Sequence, residues 1–417
     1  MNFIIMGEQF FDGFANNHPN HNVYQTKEYG RLMNRAGFNV TYVGMIDSDK
    51  TVLAAAMILS KKLDAKNAYA YIPGGILIDY QHTALLEQFL KSLKAYLKKQ
   101  KAVFLRMDPM VPMYEYDFEG RRLHTIDNSF VLSKLQAFGF KHYGFNQYFE
   151  STKPRYVAIV DGDEQKVMNE QTLHRIKRAK EKGISIYKGN SEYIEDLYGL
   201  IKHKNKKRNL RYYENYYEIF NKSNMIDIYF AKIDVGEYSN NARALYEKEL
   251  DLNESITNRL YEAEGDEKET LLNDKMESDK RLVVYKNDID NSIVLFSNLP
   301  NGLMVCGLMV VKQGDTVHFI IDGTLDKFRN YYPKYLLYST VINNYLKAGY
   351  KNINLNAIVG DFSNQNRYKA LNIFKGSFAT KFVEYPGEFI YILNPVTYAK
   401  LGDNSNYQGL LKKVIRK

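Results

Sequence analysis

Apolar residues recur along this chain in two rhythms. Short runs that are mostly aliphatic, at 40–45, 52–59, 68–72 and 102–107, read as strands. They alternate with stretches at 27–36 and 83–98, where apolar residues return every three or four positions, the period of a helix buried on one side. Such alternation predicts an α/β or mixed α+β layer structure. The rhythm restarts near Lys153, with a strand over 153–161, a helix over 171–182 stopped by Gly183, and further strand and helix signals to Asp234. No fixed short period relates the two halves, so one design is used twice in pattern only and no solenoid is implied.

Composition changes abruptly at Gly236. From there to Val283 the chain is rich in Glu, Lys, Leu and Asn, lacks Pro, and spaces Leu245, Leu252, Ile256 and Leu260 by 7, 4 and 4 residues. That spacing predicts an amphipathic helix pair turning near Gly265. At ~1.5 Å per residue, each arm of about 20 residues would extend about 30 Å. This is too long and too polar for a small α/β layer, so an antiparallel hairpin is expected to project over 238–282. Beyond it, strands are expected at 293–299, 302–311, 317–321 and 353–358, and a helix over 335–347 closed by Gly349. The basic tail GLLKKVIRK reads as a frayed helix, with an anionic membrane surface as the alternative partner.

A length of 417 residues makes two or three domains the expectation, and 45% hydrophobic with 25% charged residues fits a folded globular protein rather than a disordered or rod-like one. The single cysteine, Cys306, excludes an internal disulfide and a zinc or iron–sulfur cluster, and points to a reducing compartment. The longest apolar stretch, 303–311, falls far short of the ~20 residues of a spanning helix. The start, MNFIIMGEQFFDG, lacks the pattern of a signal peptide, so a cytoplasmic protein is expected. A net charge of +9 suggests attraction to phosphates, and 35 Tyr with 23 Phe but no Trp supplies ring faces for packing or for stacking on bases and sugars.

Common catalytic signatures are missing: Walker loop, GxGxxG, HExxH, GxSxG and the pyrophosphate loop of acetyl-CoA transferases. What is present is basic and aromatic. Segment KHKNKKRNLRYYENYY (202–217) sets six Lys/Arg residues beside Tyr212, Tyr213, Tyr216 and Tyr217. A second basic run, Arg175, Lys177, Arg178, Lys180 and Lys182, lies on the helix whose other face offers Leu173, Ile176 and Ala179. Three turns stand out as well. YIPGGILIDY (71–80) turns sharply at Gly74 and Gly75, FLRMDP (104–109) carries Arg106 and ends a strand at Asp108, and IFKGSF (373–378) sets Lys375 among aromatics.

In this order the motifs QTKEYGRL, YIPGGILIDY, FLRMDP, KPRY, LHRIKRAKEKGI, the helical arm and FKGSFATKFVEYPGEFIYILNPVTY resemble the Fem family of peptidoglycan-bridge aminoacyltransferases over nearly the whole chain. The resemblance implies an α+β protein of two GNAT-like domains, without CoA or any other cofactor, and with a coiled-coil arm inserted in the second. The first domain would span 1–152 with 386–417 packed on it, and the second 153–237 and 283–385. It implies transfer of an amino acid of the Gly, Ala or Ser class from aminoacyl-tRNA to the stem-peptide amine of a cell-wall precursor, lipid II or its UDP-linked form, with peripheral contact to the inner membrane leaflet. Carried across, Arg31, Arg208 and Tyr212 match positions that hold the precursor's diphosphate, with Arg211 as the alternative to Arg208. Arg106, Gly74 and Gly75 fall at the precursor cleft. Asp108 matches the carboxylate at the peptide cleft, Lys375 the lysine near the tRNA ester, and the basic run 175–182 a tRNA contact. The chain departs from the family's Arg-Gly-Pro at Gly74-Gly75-Ile76, from a Tyr at Ile321, and from Gly-Gly at Asn356-Ala357.

The chemistry suits this inventory. An aminoacyl ester is already activated, so an amine attacks it without an enzyme nucleophile, and positioning with fixed charge carries the reaction. Asp108 is expected to orient or deprotonate the amine and Lys375 to stabilise the developing oxyanion. Two other readings stay open from sequence: a bridge-modifying immunity factor of the same fold, and a non-catalytic RNA- or precursor-binding module.

Overall fold

The computed structural model describes residues 1–146, 148, 153–164, 168–203 and 208–402. The basic tail and residues 204–207 of the basic-aromatic segment lie outside the described residues. Strands β1 (Asn2–Met6), β2 (Asn39–Ile46), β3 (Val52–Lys62), β4 (Ala68–Ile72), β5 (Ala102–Met107), β6 (Tyr114–Tyr116), β7 (Arg122–Leu123) and β8 (Lys141–His142) come from the first part of the chain. The rest supplies β9 (Tyr156–Asp161), β10 (Ile184–Gly189), β11 (Ile226–Ile233), β12 (Leu303–Gln313), β13 (Thr316–Thr324), β14 (Asn352–Ile358), β15 (Lys381–Glu384) and β16 (Phe389–Ile392).

These form two sheets, ordered β1-β2-β3-β4-β5-β16-β8 and β10-β11-β12-β13-β14-β9-β15-β6-β7. In each, one neighbouring pair is parallel, β4/β5 in the first and β13/β14 in the second. A parallel pair needs a crossover, and helices Thr83–Lys99 and Pro333–Lys347 supply them. The repeat seen as pattern in the sequence is thus a repeat of topology. One segment crosses the expected division of the chain: the hairpin β6/β7 pairs with β15 in the second sheet, although 1–152 was expected to form the first domain. Strand β16, from the segment 386–417 expected on the first domain, lies between β5 and β8.

The two halves share one apolar core. Phe11, Leu32 and Met33 of the first belong to the same buried cluster as Leu197, Tyr216 and Phe220 of the second. At its rim the Arg35 guanidinium pairs with Glu218, and Ser223 donates to Glu28 at 2.5 Å. Burial of this kind of surface fixes the relative placement of the halves, and with it any site built between them.

The arm is longer than expected. Its helices are Val235–Glu262 and Gly265–Asn298, about 42 and 51 Å at the standard rise. Contacts Arg259–Glu267, Asn253–Ser278 and Arg281–Glu249 pair rising with falling numbers, so the helices run antiparallel. The strand expected at 293–299 is instead the end of the second helix: Ser292 and Leu295 are buried while Ile293, Val294 and Phe296 are exposed, the period of a helix rather than of a strand. The β-branched run there mimics a strand locally, and packing on the arm's partner decides otherwise.

Candidate active site

Asp108 follows β5 and the Pro73-Gly74-Gly75 turn follows β4, so both stand at the carboxyl ends of the parallel pair, where open sheets place their ligands. The Gly74 N–H donates to Asp108 Oδ1 at 2.7 Å, and the Tyr71 hydroxyl to Oδ2 at 2.6 Å. Gly74 has φ +69°, and a Cβ there would sit 2.4 Å from Asn22 Oδ1. The turn is clamped from outside: Asn22 Nδ2 donates to Gly74 O at 2.9 Å and Gln25 Nε2 to Pro73 O at 2.7 Å, while Gln25 Oε1 accepts from the Met57 N–H. Gln25 of the QTKEYGRL motif is therefore a structural clamp for the loop that presents Asp108. Burial pushes the Asp108 carboxyl from 3.8 up to about 6, against the opposing pull of Lys153, Tyr71 and the Gly74 N–H, with Glu388 adding to the rise.

Around Asp108 both halves contribute rings and cations. The Lys153 ammonium lies 3.3 Å from the Tyr24 ring centroid, 5.1 Å from that of Tyr29, and donates to the Tyr29 hydroxyl at 3.2 Å. Across the junction, Arg208 stacks over Tyr212 at 4.0 Å. Asn209 caps the helix Leu210–Asn221 by accepting from the Tyr212 N–H, which holds Tyr212 and Tyr216 toward the junction. These groups feel one another: the charge of Arg208 acts on Tyr29, Tyr212 and Lys153, and those of Lys153 and Asp108 on Tyr24. The sequence-derived Asp108, Arg208 and Tyr212 are thus brought to one junction, among Tyr24 and Tyr29.

Lys375 occupies the corresponding position on the second sheet. It is buried on the helix Lys369–Gly376 and donates to the Ala357 carbonyl at 2.7 Å, beyond the parallel part of β14. Where the family has Gly-Gly, Asn356 adopts φ +69° and bonds the Phe319 and Ile320 carbonyls through Nδ2. Asparagine is among the few residues that tolerate this region. The contacts of Asp108 and of Lys375 belong to different sheets, each at the carboxyl end of its parallel pair.

Other expected residues are placed differently. Arg106 is buried and ion-paired with Glu388. Arg31 is exposed and grips both oxygens of Glu8 at 2.9 and 2.7 Å. Two positions from Tyr29 on one helix, it faces away from the tyrosine cleft and lines a separate cavity of about 430 Å³ with Arg35 and Lys222. Arg211 is exposed beside Glu214. In the basic run, Arg175, Arg178 and Lys182, spaced 3 and 4, share the inward face. Arg175 bonds the Tyr335 hydroxyl, Arg178 bonds Glu181 and Asp288, and Lys182 bonds Asp288 and Tyr238. Lys177 and Lys180 are exposed, and so is Leu173, which was expected on the buried face.

Lys153, Tyr24, Tyr29 and Tyr71 are the functional candidates that residue-by-residue reading missed. The motifs KPRY, QTKEYGRL and YIPGG contained or adjoined them, but nothing in sequence says that these three separate segments meet. Among the described residues no group of three or more His, Cys, Asp or Glu is placed to hold a metal ion, and no helix is long and apolar enough to cross a membrane.

The model of the FemAB family matches residues 6–402. A lipid II:glycine glycyltransferase of Staphylococcus saprophyticus is 22% identical over 403 residues, 94% of this chain and 93% of that protein. The aminoacyltransferase FemA of Staphylococcus aureus is 22% identical over 413 residues, 96% of this chain and 97% of FemA. A crystal structure of FemX superposes with a TM-score of 0.73 at 20% identity, covering 96% of this chain and 99% of FemX, which shows a common fold.

Proposed function

The chain belongs to the FemAB family, and from that premise we propose that it is an aminoacyltransferase that extends the interpeptide bridge of peptidoglycan. It takes a Gly-, Ala- or Ser-class amino acid from aminoacyl-tRNA and joins it to the stem-peptide amine of a precursor, lipid II or its UDP-linked form. The observation that carries this reading is the gathering of Asp108, Lys153, Arg208 and Tyr212 at the junction of the two halves. The names of the relatives, a lipid II:glycine glycyltransferase and an aminoacyltransferase, support the same substrate class.

In the proposed reaction the amine nitrogen attacks the ester carbonyl carbon, the C–N bond forms, and the C–O bond to the ribose breaks, the ribose oxygen taking up a proton from solvent to leave as a hydroxyl. Asp108 receives the proton that the amine sheds. Half of the Asp108 population is ionised near pH 6, so the acceptor form dominates at neutral pH. Arg208 with Tyr212 steadies the precursor's phosphates and sugar, a bidentate cation backed by a ring face. Lys375 supplies positive charge to the carbonyl oxygen or to the departing ribose oxygen. Exposed Lys177 and Lys180 offer phosphate contacts for tRNA, and the protein works in the cytoplasm, touching the inner leaflet where the precursor is lipid-linked.

The test is incubation of the purified protein with lipid II, with the UDP-linked precursor and with a panel of charged tRNAs, followed by weighing the product. One added residue on the stem peptide is expected. Lys375→Met is expected to lower turnover at least about a hundredfold while leaving precursor affinity within about twofold. No mass increase with any charged tRNA, or undiminished turnover by the variant, would overturn the respective part of the proposal.

A further inference from the structure

We propose that the first half holds a nucleotide site of its own, separate from the residues gathered around Asp108. It is a cavity of about 600 Å³ between the last turn of the helix Thr83–Lys99 and the first sheet, fitted to a free mononucleotide. It lies at the amino ends of β4 and β5, where Ala68 and Ala102 begin the strands. Asp108 follows the other end of β5, six residues on from Ala102 and so about 20 Å away at the standard strand rise. The space exists because packing stops short. Toward the middle of the sheet Leu86, Phe89, Leu90 and Leu93 fill the gap beneath the helix. At the helix end, the sheet offers only Thr41, Ser60, Ala70 and Ala102 to Tyr96 and Gln100. Packed interiors leave few voids of this size, and its volume lies within the range of small-molecule sites.

Three chemistries meet in the cavity. Ile58, Ala70 and Leu97 give it a buried apolar lining, and Phe38 and Tyr96 add ring surface. Thr41 and Ser60 bring hydroxyls, and Asn39 and Gln100 bring amides. None of these four side chains bonds another described residue. Lys61 and Lys62 bring positive charge, and neither has an acidic partner among the described residues. The Lys61 ammonium lies over the Phe38 ring, 5.2 Å from its centroid, and 3.9 Å from where a side chain on Gly37 would begin. The surroundings are basic as well. Residues 91–101, KSLKAYLKKQK, hold five lysines and no acid. In the β3–β4 turn, the oxygens of Asp64 are taken by Asn67 and by backbone N–H groups. An inorganic anion needs no apolar lining, and a fatty acid leaves the hydroxyls and amides unused. A base against the rings, a ribose on the hydroxyls and amides, and a phosphate on the lysines use all three.

The experiment is calorimetric titration of the purified protein with AMP, GMP and UMP, beside inorganic phosphate and decanoate. At least one mononucleotide is expected to bind with a Kd of about 10 to 100 µM, and phosphate and decanoate at least about tenfold more weakly. Lys61→Met with Lys62→Met is expected to weaken the nucleotide at least about tenfold, and Ser60→Phe, which fills the cavity, to abolish its binding. If Ser60→Phe does not fold, Gln100→Glu replaces it: the residue is exposed, and a carboxylate there is expected to weaken an anionic ligand about tenfold. No mononucleotide binding up to about 5 mM overturns the proposal, and so does binding that ignores these variants, which places the nucleotide elsewhere. Phosphate or decanoate held as tightly as nucleotide by the same residues overturns the ligand class. Uncharged tRNA completes the set. If the lysine variant weakens tRNA while mononucleotides do not bind, the lysines serve an RNA backbone and the nucleotide site is refuted. None of these readouts needs transfer, so a chain that transfers nothing yet binds nucleotide here refutes only the reaction proposed above.

Discussion

Asp108, in the cleft between the halves, and Asp227, inside the second half, are both buried and both accept a tyrosine hydroxyl, yet they end in opposite electrostatic states. Asp227 receives Tyr345 at 2.5 Å and is paired directly with Lys188 at 2.8 Å and Lys312 at 3.0 Å. Burial alone would raise its carboxyl, but Lys188, Tyr345 and Lys312 outweigh it and hold the group below its ordinary value. Asp108 receives Tyr71 and a backbone N–H, the charge of Lys153 also opposes the rise, and burial wins. A carboxylate compensated in place is a strut. One whose burial outweighs its partners keeps its proton to higher pH, which is what a proton acceptor at the proposed site needs.

Matched substitutions test the contrast most strongly. Asp108→Asn is expected to cut transfer by about 10² to 10⁴ while melting at or above the wild-type temperature at neutral pH, because it removes a proton acceptor whose ionisation costs stability. Asp227→Ala is expected to do the reverse: it strands Lys312 in a half-buried position and lowers the unfolding free energy by about 3 kcal/mol, with turnover retained in the protein that stays folded. Activity assays beside urea unfolding of the two variants decide it. Comparable losses of activity in both would erase the distinction.

The same pair differs in how stability responds to pH. The folded-state value of Asp108 lies above its ordinary one, so the native chain holds the extra proton between about pH 4 and 6, and stability falls as pH rises through that window, by about 3 kcal/mol in total. Asp227 lies below its ordinary value; its contribution is present above about pH 4 and is lost as pH falls lower. Relative to wild type, Asp108→Asn should therefore gain stability between pH 4.5 and 7.5, and Asp227→Asn should show its deficit at both. Urea midpoints at the two pH values measure this, and a pH-independent difference for Asp108→Asn would mean that the carboxyl is not perturbed.

Much of the architecture was legible because it rests on local period and on ordered motifs. Strands β3, β4 and β5, the crossover helices and the arm all follow from spacing of apolar residues, and Asp108, Arg208 and Tyr212 followed from the resemblance. What was not legible depends on contacts between distant segments. The exchange of β6/β7 into the second sheet, Gln25 as a clamp on the Pro73 turn, and Lys153 between Tyr24 and Tyr29 are pairings over tens of residues that no local rhythm encodes. The end of the arm failed for a different reason: Ile293, Val294 and Leu295 have strand propensity, and helix packing through Leu295 overrides it. Arg106 shows the limit of motif transfer, since a strand-end arginine beside the site turns out to be bonded to Glu388 from the far end of the chain.

The basic helix gives the smallest effect and the finest version of the contrast. Its inward cations belong with Asp227's lysines: Lys182 and Arg178 satisfy Asp288 at the root of the arm, with Tyr238 completing the shell. Its outward cations, Lys177 and Lys180, stand in solvent, and the helical period alone separates the two sets, 175, 178 and 182 against 177 and 180. Lys182→Ala should therefore lower stability by about 2 kcal/mol, since it removes one of two cations from a buried carboxylate, and should leave the salt dependence of tRNA binding unchanged. Lys177→Ala with Lys180→Ala should leave stability within about 0.5 kcal/mol and, through the proposed phosphate contacts, flatten the slope of log affinity against log salt by up to about 2. Filter binding at several salt concentrations beside thermal melting separates the two. A slope that responds to Lys182 and ignores Lys177 and Lys180 would reverse the assignment of faces, and with it the division between cations that hold the fold and cations that meet a ligand.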